Sequence, residues 1–135
     1  MIYILKSEYE KIVEQGKREF PLECCGYLAG VKEGENVFIK EAISLRNIDE
    51  SSEHFSMDAK EQFNAIREIR SKEMVLIGNY HSHPYTPSRP SEEDKRLAFD
   101  PNVVYGILSL EKEEPVFKLF EIRKDNVKIL EYQIM

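Results

Sequence analysis

Met74-Val75-Leu76-Ile77-Gly78-Asn79-Tyr80-His81-Ser82-His83-Pro84, then Ser91-Glu92-Glu93-Asp94 after seven intervening residues from His83, is the stretch whose reading decides this chain. The run from Met74 to Tyr80 is short, apolar and bounded by a proline-rich segment, which predicts a buried strand delivering two histidines. Residues two apart on a strand share a face, so His81 and His83 can aim both imidazoles at one point while Ser82 faces away. Pro84, Pro87 and Pro90 stop the strand and stiffen the loop after it. Ser91 then opens a helix with Asp94 one turn inside. Two neutral imidazoles and one carboxylate form a mixed nitrogen and oxygen donor set that suits four-coordinate zinc with water as the fourth ligand. That is the pattern of catalytic zinc rather than of closed structural sites.

Each half of the pattern also has a plainer reading. Ser91-x-x-Asp94 describes a helix N-terminus, with Ser91 as N-cap and an acid near N3 where the helix dipole favours it. A His-x-His pair by itself occurs on ordinary strands. The two together, joined by a loop that returns the helix start to the strand end, point to a metal. Capping is compatible with that, because a cap serine is already held in place.

Working outward, 135 residues predict one domain spanning 1–135, long enough to bury a core of ordinary size. With 41% hydrophobic and 33% charged residues the composition is that of a soluble globular chain. A net charge of -6 supplies no general attraction to nucleic acid or to an acidic membrane, so neither is expected as a partner. Met1 to Leu5 is too short for a signal-peptide apolar region and no run approaches a membrane span, so the expected location is cytoplasmic. Cys24 and Cys25 are adjacent, and neighbouring side chains on a strand point apart, which disfavours a disulfide between them. No Cys-x-x-Cys is present, which removes zinc-ribbon and nucleoside-deaminase readings of the metal site.

The pattern along the chain predicts a strand at Ile2 to Leu5 and a helix to about Arg18. Ser7-x-x-Glu10 serves that helix as a capping box, and Leu5, Tyr9, Ile12, Val13 and Gly16 fall at helical spacing. Phe20-Pro21 ends it. Glu23 to Val31 and Val37 to Ser44 read as a hairpin turning at Gly34, and Arg46 to Glu53 as loop. Phe55 to Met57 reads as a brief strand. Asp58-x-x-Glu61 starts a second helix with an apolar stripe of Ala59, Phe63, Ile66 and Ile69. After the metal strand come a short helix from Ser91 to about Phe99 and three strands, Val103 to Leu110, Val116 to Arg123 and Val127 to Ile134. This order predicts an α+β fold in which helices flank a curved, mostly antiparallel sheet.

A metal centre becomes a hydrolase only with a proton shuttle beside it, because the coordinated water must lose a proton and a leaving amine must gain one. Spacing does not single out one of the 25 acidic residues for that task. Most lie in charged faces or turns, whereas Glu23 sits in a stretch of small and apolar residues where burial raises a carboxyl pKa.

Glu23, His81-Ser82-His83-Pro84, the seven-residue spacer and Ser91-x-x-Asp94 together resemble the signature of the JAMM metalloproteases, also called MPN-plus domains. Pro21-Leu22-Glu23-Cys24-Cys25-Gly26-Tyr27-Leu28-Ala29-Gly30 is similar to the small stand-alone prokaryotic branch, and the likeness runs from about Ile2 to Arg123. The resemblance implies a cytidine-deaminase-like JAMM/MPN fold and a peptidase or isopeptidase dependent on one catalytic Zn2+. It implies His81, His83 and Asp94 as ligands, Glu23 as acid and base, and Ser91 as the hydroxyl that supports the tetrahedral intermediate. The implied substrate is the C-terminal di-glycine tail of a ubiquitin-like or sulfur-carrier protein. Eukaryotic deubiquitinases of the family carry insertions where this chain has only Lys95 to Asn102, so polyubiquitin is not the expected substrate. A non-catalytic partner-binding domain of MPN type and a zinc hydrolase of a small-molecule amide remain as alternatives.

Other residues carry competing readings. His54 is a surface or packing histidine or a further ligand. Cys24 and Cys25 are buried apolar residues or a redox pair. Asn79 and Tyr80 orient a ligand or pack in the strand. Arg89 and Lys95 hold a substrate carboxylate or are solvated charges. A glycine tail could also add to an exposed strand edge near the site.

Overall fold

The computed structural model describes residues 1–135. Along the chain lie β1 (Ile2–Ile4), α1 (Lys6–Glu19), β2 (Cys25–Glu33), β3 (Asn36–Leu45), α2 (Ala59–Ser71) and β4 (Val75–His83). These are followed by α3 (Glu92–Leu97), β5 (Val104–Ser109), β6 (Val116–Arg123), β7 (Asn126–Leu130) and β8 (Tyr132–Ile134). The strands form one sheet in the order β7-β6-β5-β4-β2-β3-β1-β8. Four neighbouring pairs are antiparallel, while β1–β3, β1–β8 and β4–β5 are parallel. The fold is α+β, with helices on both faces of a curved sheet.

The curvature follows from connectivity. β7 and β8 stand at opposite ends of the sheet, yet only Glu131 separates them in the chain, so the sheet rolls until its ends approach. Tyr132 helps to hold them, its hydroxyl donating to the Phe117 carbonyl on β6 at 2.5 Å. Register shifts between Leu28 and Gly30, against both β3 and β4, add local twist in the central strand. The single strand expected over Val127 to Ile134 is therefore two, because its halves serve different ends of the sheet.

Alternation along β2 splits the interior into two layers. Leu28 faces α1 and packs with Ile12, Ile39, Tyr80, Leu108 and Leu119. Cys25, Tyr27 and Ala29 face α2 and pack with Ala65, Ile69 and Leu45. A smaller cluster, Tyr105, Ile107, Phe120 and Ile122, lies on the β5–β6 end with Ala98 against it. Gly26 is required by this packing, since a Cβ there would stand 2.4 Å from the Tyr80 hydroxyl. Gly34, at φ 62°, makes the β2–β3 turn in the left-handed region that glycine tolerates.

Two helix expectations are corrected. Ser7 does not cap α1: the helix begins at Lys6 from an uncapped Leu5, and the Ser7 hydroxyl bonds Glu8 instead. Glu8 turns inward, where its carboxylate accepts from the Ala42 amide at 3.0 Å and from Lys11 at 2.9 Å. On α2, Asp58 caps as expected, accepting from the Glu61 amide at 3.1 Å. Its buried residues are Ala65 and Ile69, and Phe63 is 62% exposed beside the Arg67 guanidinium. The helix is thus rotated from the expected stripe, with Gln62 rather than Phe63 turned toward Tyr27 of the sheet. Phe55 to Met57 contributes one isolated bridge, Asn47 to Met57, rather than a strand. No helix is long and apolar enough to cross a membrane.

Candidate metal centre

β4 carries His81 and His83 out to its last turn of pleat, on the face shared with α2 and α3. The strand is paired on both sides as far as His81, which lies beside Cys25 of β2 and Ile107 of β5, and His83 is paired with Ser109 of β5. The backbone under the histidines is therefore fixed. Ser82 points to the other face. Its hydroxyl accepts from the Cys24 amide at 2.8 Å, and its own amide donates to the Cys24 carbonyl at 3.0 Å. The residue between the two histidines thus clamps the residue after Glu23.

The proline-rich loop is held by side chains rather than by a ladder. Ser88 donates to the Ile107 carbonyl at 2.7 Å and Ser109 to the Thr86 carbonyl at 2.6 Å. His83 Nδ1 donates to the Pro87 carbonyl at 3.0 Å, which fixes the tautomer and leaves Nε2 as a lone-pair donor. The loop delivers Ser91 as N-cap of α3 in a full capping box. Ser91 Oγ accepts from the Asp94 amide at 3.0 Å, and the Ser91 amide donates to Asp94 Oδ2 at 2.9 Å. Both readings of Ser91-x-x-Asp94 therefore describe one object, a cap that orients a carboxylate. The hydroxyl proton of Ser91 is left free to donate outward.

Three donor atoms converge. His81 Nε2 and His83 Nε2 are 3.2 Å apart, and Asp94 Oδ2 lies 3.2 Å from the first and 3.1 Å from the second. A tetrahedral ion with bonds of about 2.0–2.1 Å separates its donors by roughly 3.3–3.4 Å, so the cluster fits one face of such a coordination shell. His81 Nδ1 is buried without a partner, so the metal-facing Nε2 is the ring's one engaged polar atom, and Phe55 stacks on the ring at 4.5 Å. A set of two imidazoles and a carboxylate can hold a metal ion.

The electrostatics suit cation binding. Burial drives the His81 pKa down, against Asp94, and keeps the ring neutral as a ligand must be. At His83 burial acts the same way but is outweighed by the adjacent Asp94 carboxylate and the Pro87 carbonyl, and its pKa rises. Burial pushes Asp94 up, yet the two histidine rings beside it and the Ser91 amide hold it well below the usual carboxylate range.

Glu23 comes from the segment just before β2 and is 5% exposed. Its pKa is pushed up to about 8, first by burial, with His83 opposing and Asp94 reinforcing. Its carboxyl therefore stands within electrostatic reach of the cluster without belonging to it. Beside His81 and Asp94 opens a cavity of about 360 Å³, walled by Phe55, Met57, Leu97, Phe99 and Tyr105.

The remaining candidates separate. His54 lies outside the cluster, exposed, with Nδ1 on Glu93 at 2.9 Å. Tyr80 does not orient a ligand: it points to the α1 face and donates to Gln15. Asn79 lines the cavity. Lys95 pairs with Glu92, and Cys24 and Cys25 are free and buried. Sequence reasoning placed Ser82 on the opposite face, Pro87 in the stiffened loop and Phe55 in a brief strand, and foresaw none of their contacts with the site.

Residues 5–122 match the model of a family described as prokaryotic homologs of the JAB domain. A CysO-cysteine peptidase from Mycobacterium tuberculosis is 31% identical over 111 residues, covering 80% of this chain and 75% of its own. A desampylase from Haloferax volcanii is 33% identical over 90 residues, covering 66% and 63%. A solution structure from Desulfitobacterium hafniense superposes with a TM-score of 0.92 at 43% identity, covering 100% of this chain and 93% of that one.

Proposed function

The chain belongs to the family of prokaryotic JAB-domain homologs, and on that premise we propose that it is a zinc-dependent peptidase of the JAMM type, acting as one domain over residues 1–135. Its substrate is an amide bond at the C-terminal Gly-Gly tail of a ubiquitin-like or sulfur-carrier protein. His81 Nε2, His83 Nε2 and Asp94 Oδ2 hold the ion. When bound, zinc supplies a Lewis acid that polarises the scissile carbonyl and acidifies water at neutral pH.

The chain's own groups move the protons. Glu23 takes one proton from the attacking water as the carbon–oxygen bond forms, then delivers it to the nitrogen as the carbon–nitrogen bond breaks. The products are a carboxyl terminus and a free amine. Burial supports this role by raising the pKa of the carboxyl, which favours its taking up and passing on a proton. Ser91 donates its free hydroxyl proton to the carbonyl oxygen as charge develops there. The cavity beside His81 and Asp94 receives the tail against Phe55, Leu97 and Phe99.

The observation that carries this reading is the convergence of three donors 3.1–3.2 Å apart, with the buried Glu23 within electrostatic reach of them. The relatives named as a CysO-cysteine peptidase and a desampylase support the substrate class. The test is to assay metal content and then incubate the protein with sulfur-carrier and ubiquitin-like proteins bearing C-terminal extensions, with and without a chelator. Release of the extension that stops on chelation is expected. A fully metal-loaded protein that leaves every such extension intact would overturn the substrate class, and one that binds no zinc would overturn the enzyme.

A further inference from the structure

We propose that Asn47 is the positioning residue that sets where Glu23 stands relative to the metal cluster, by tying its backbone to the loop that presses Phe55 onto His81. Glu23 lies just outside β2, so no ladder places it; its amide donates to the Ser51 carbonyl at 2.8 Å. Its carbonyl accepts from Asn47 Nδ2 at 3.0 Å. Both main-chain groups of Glu23 are thus satisfied by the segment after β3, not by the sheet.

Asn47 uses its whole carboxamide for this. Nδ2 donates its second proton to the His54 carbonyl at 2.9 Å, with the Ser51 carbonyl more distant at 3.5 Å. Oδ1 accepts from the Asp49 amide at 3.0 Å and the Ser56 amide at 3.2 Å. The residue is 5% exposed and bridges to Met57, so the amide sits at the neck of the loop 48–56 and closes it. The loop then presents Phe55, whose ring stacks on ligand His81 at 22° between planes. One side chain, 24 residues from Glu23 in sequence, therefore couples the proposed proton shuttle to a ligand ring. An amide alone meets the demand: two donors face carbonyls and two acceptor sites face amides, and no other side chain of that size offers both.

The isosteric Asn47→Asp change keeps the shape and the acceptor but sets an oxygen against the carbonyls of Glu23 and His54. Its kinetic effect rests on the proposed role of Glu23. In the zinc-loaded protein it is expected to lower kcat by about 10- to 100-fold, the range for partners that orient an active group, with KM and zinc stoichiometry unchanged. Asp49→Ala is the control. It removes the acceptor of the Ser56 hydroxyl, loosening the same loop without touching Glu23, and is expected to lower the melting temperature with kcat preserved. Equal loss of kcat in both variants, or wild-type kcat in Asn47→Asp, would overturn the assignment.

Amide hydrogen exchange on the wild-type protein tests the clamp apart from any activity and from any variant's folding. The amides of Glu23, Asp49 and Ser56 should exchange as slowly as those of β4. Exchange at loop rates would refute the clamp even in an active peptidase. Slow exchange in a protein that cleaves nothing would keep the clamp and discard the proposed function.

Discussion

The candidate centre has two halves built on opposite plans. The ligand half, His81, His83, Ser91 and Asp94, lies within 14 consecutive residues and is held by a strand paired on both sides and a capping box. The shuttle half, Glu23 with Asn47 and Phe55, comes from three separated segments joined by side-chain hydrogen bonds and one ring stack. The charges differ likewise. In the ligand half every charge has a partner, and Asp94 is held in its ionised form. In the shuttle half burial of the carboxyl outweighs the opposing charge of His83, and its pKa rises to about 8. Local geometry can assemble a binding site that is stable by itself, whereas a group that must exchange protons is kept poised by the surrounding fold.

Removing a ligand should break the comparison outright. His81→Ala or Asp94→Ala is expected to abolish zinc binding and with it all cleavage, read by metal analysis of the purified variant. Retained stoichiometric zinc in Asp94→Ala would remove the aspartate from the ligand set.

Next in size, Glu23→Gln should keep zinc and lose turnover by roughly 10²- to 10⁴-fold, the range for a positioned acid and base. The same variant sharpens the electrostatic contrast in chelated protein. A carboxyl whose folded pKa is raised from 4.5 to about 8 contributes stability below pH 4.5 and loses it as pH climbs toward 8. Thermal melts should therefore show the glutamine variant gaining on wild type between those limits, by at most about 1.4 kcal/mol per pH unit. Parallel melting curves across that window would mean that Glu23 is solvated in the fold.

Ser91 belongs to the ligand half by structure and, in the proposed mechanism, to the chemistry by its hydroxyl proton. Ser91→Ala should lower kcat by about 10²- to 10³-fold, the loss found for one oxyanion donor. Loss of the cap should also cost about 1 kcal/mol of stability, separately visible in denaturant titration. The smallest effect concerns Cys24 and Cys25, whose thiols burial pushes up to about 12. Neither should react with iodoacetamide at pH 8 in the native protein, and both should react after unfolding. Rapid native labelling would revive the redox reading.

What could be read before folding follows the same division. The period of two in His81-Ser82-His83, the proline stops and the Ser91-x-x-Asp94 spacing all act within a few residues, and each has the geometry it predicted. The hairpin at Gly34 and the cap at Asp58 were legible for the same reason. Failures came where another segment decided. Ser7 lost its cap role because Glu8 is drawn inward to the Ala42 amide on β3. The stripe on α2 rotated because the sheet offered Tyr27 to Gln62. The last strand broke at Glu131 because the two ends of a rolled sheet each needed a strand.

The sequence by itself determined the local geometry of His81, His83 and Ser91-x-x-Asp94, since periodicity and capping are properties of neighbouring residues. Only the tertiary structure decided what surrounds Glu23. Neither the carbonyl of residue 23, the amide of Asn47 nor the ring of Phe55 carries a pattern of its own. They meet because a rolled sheet brings the start of β2, the end of β3 and the tip of β4 to one place, and burial there sets the pKa of the carboxyl.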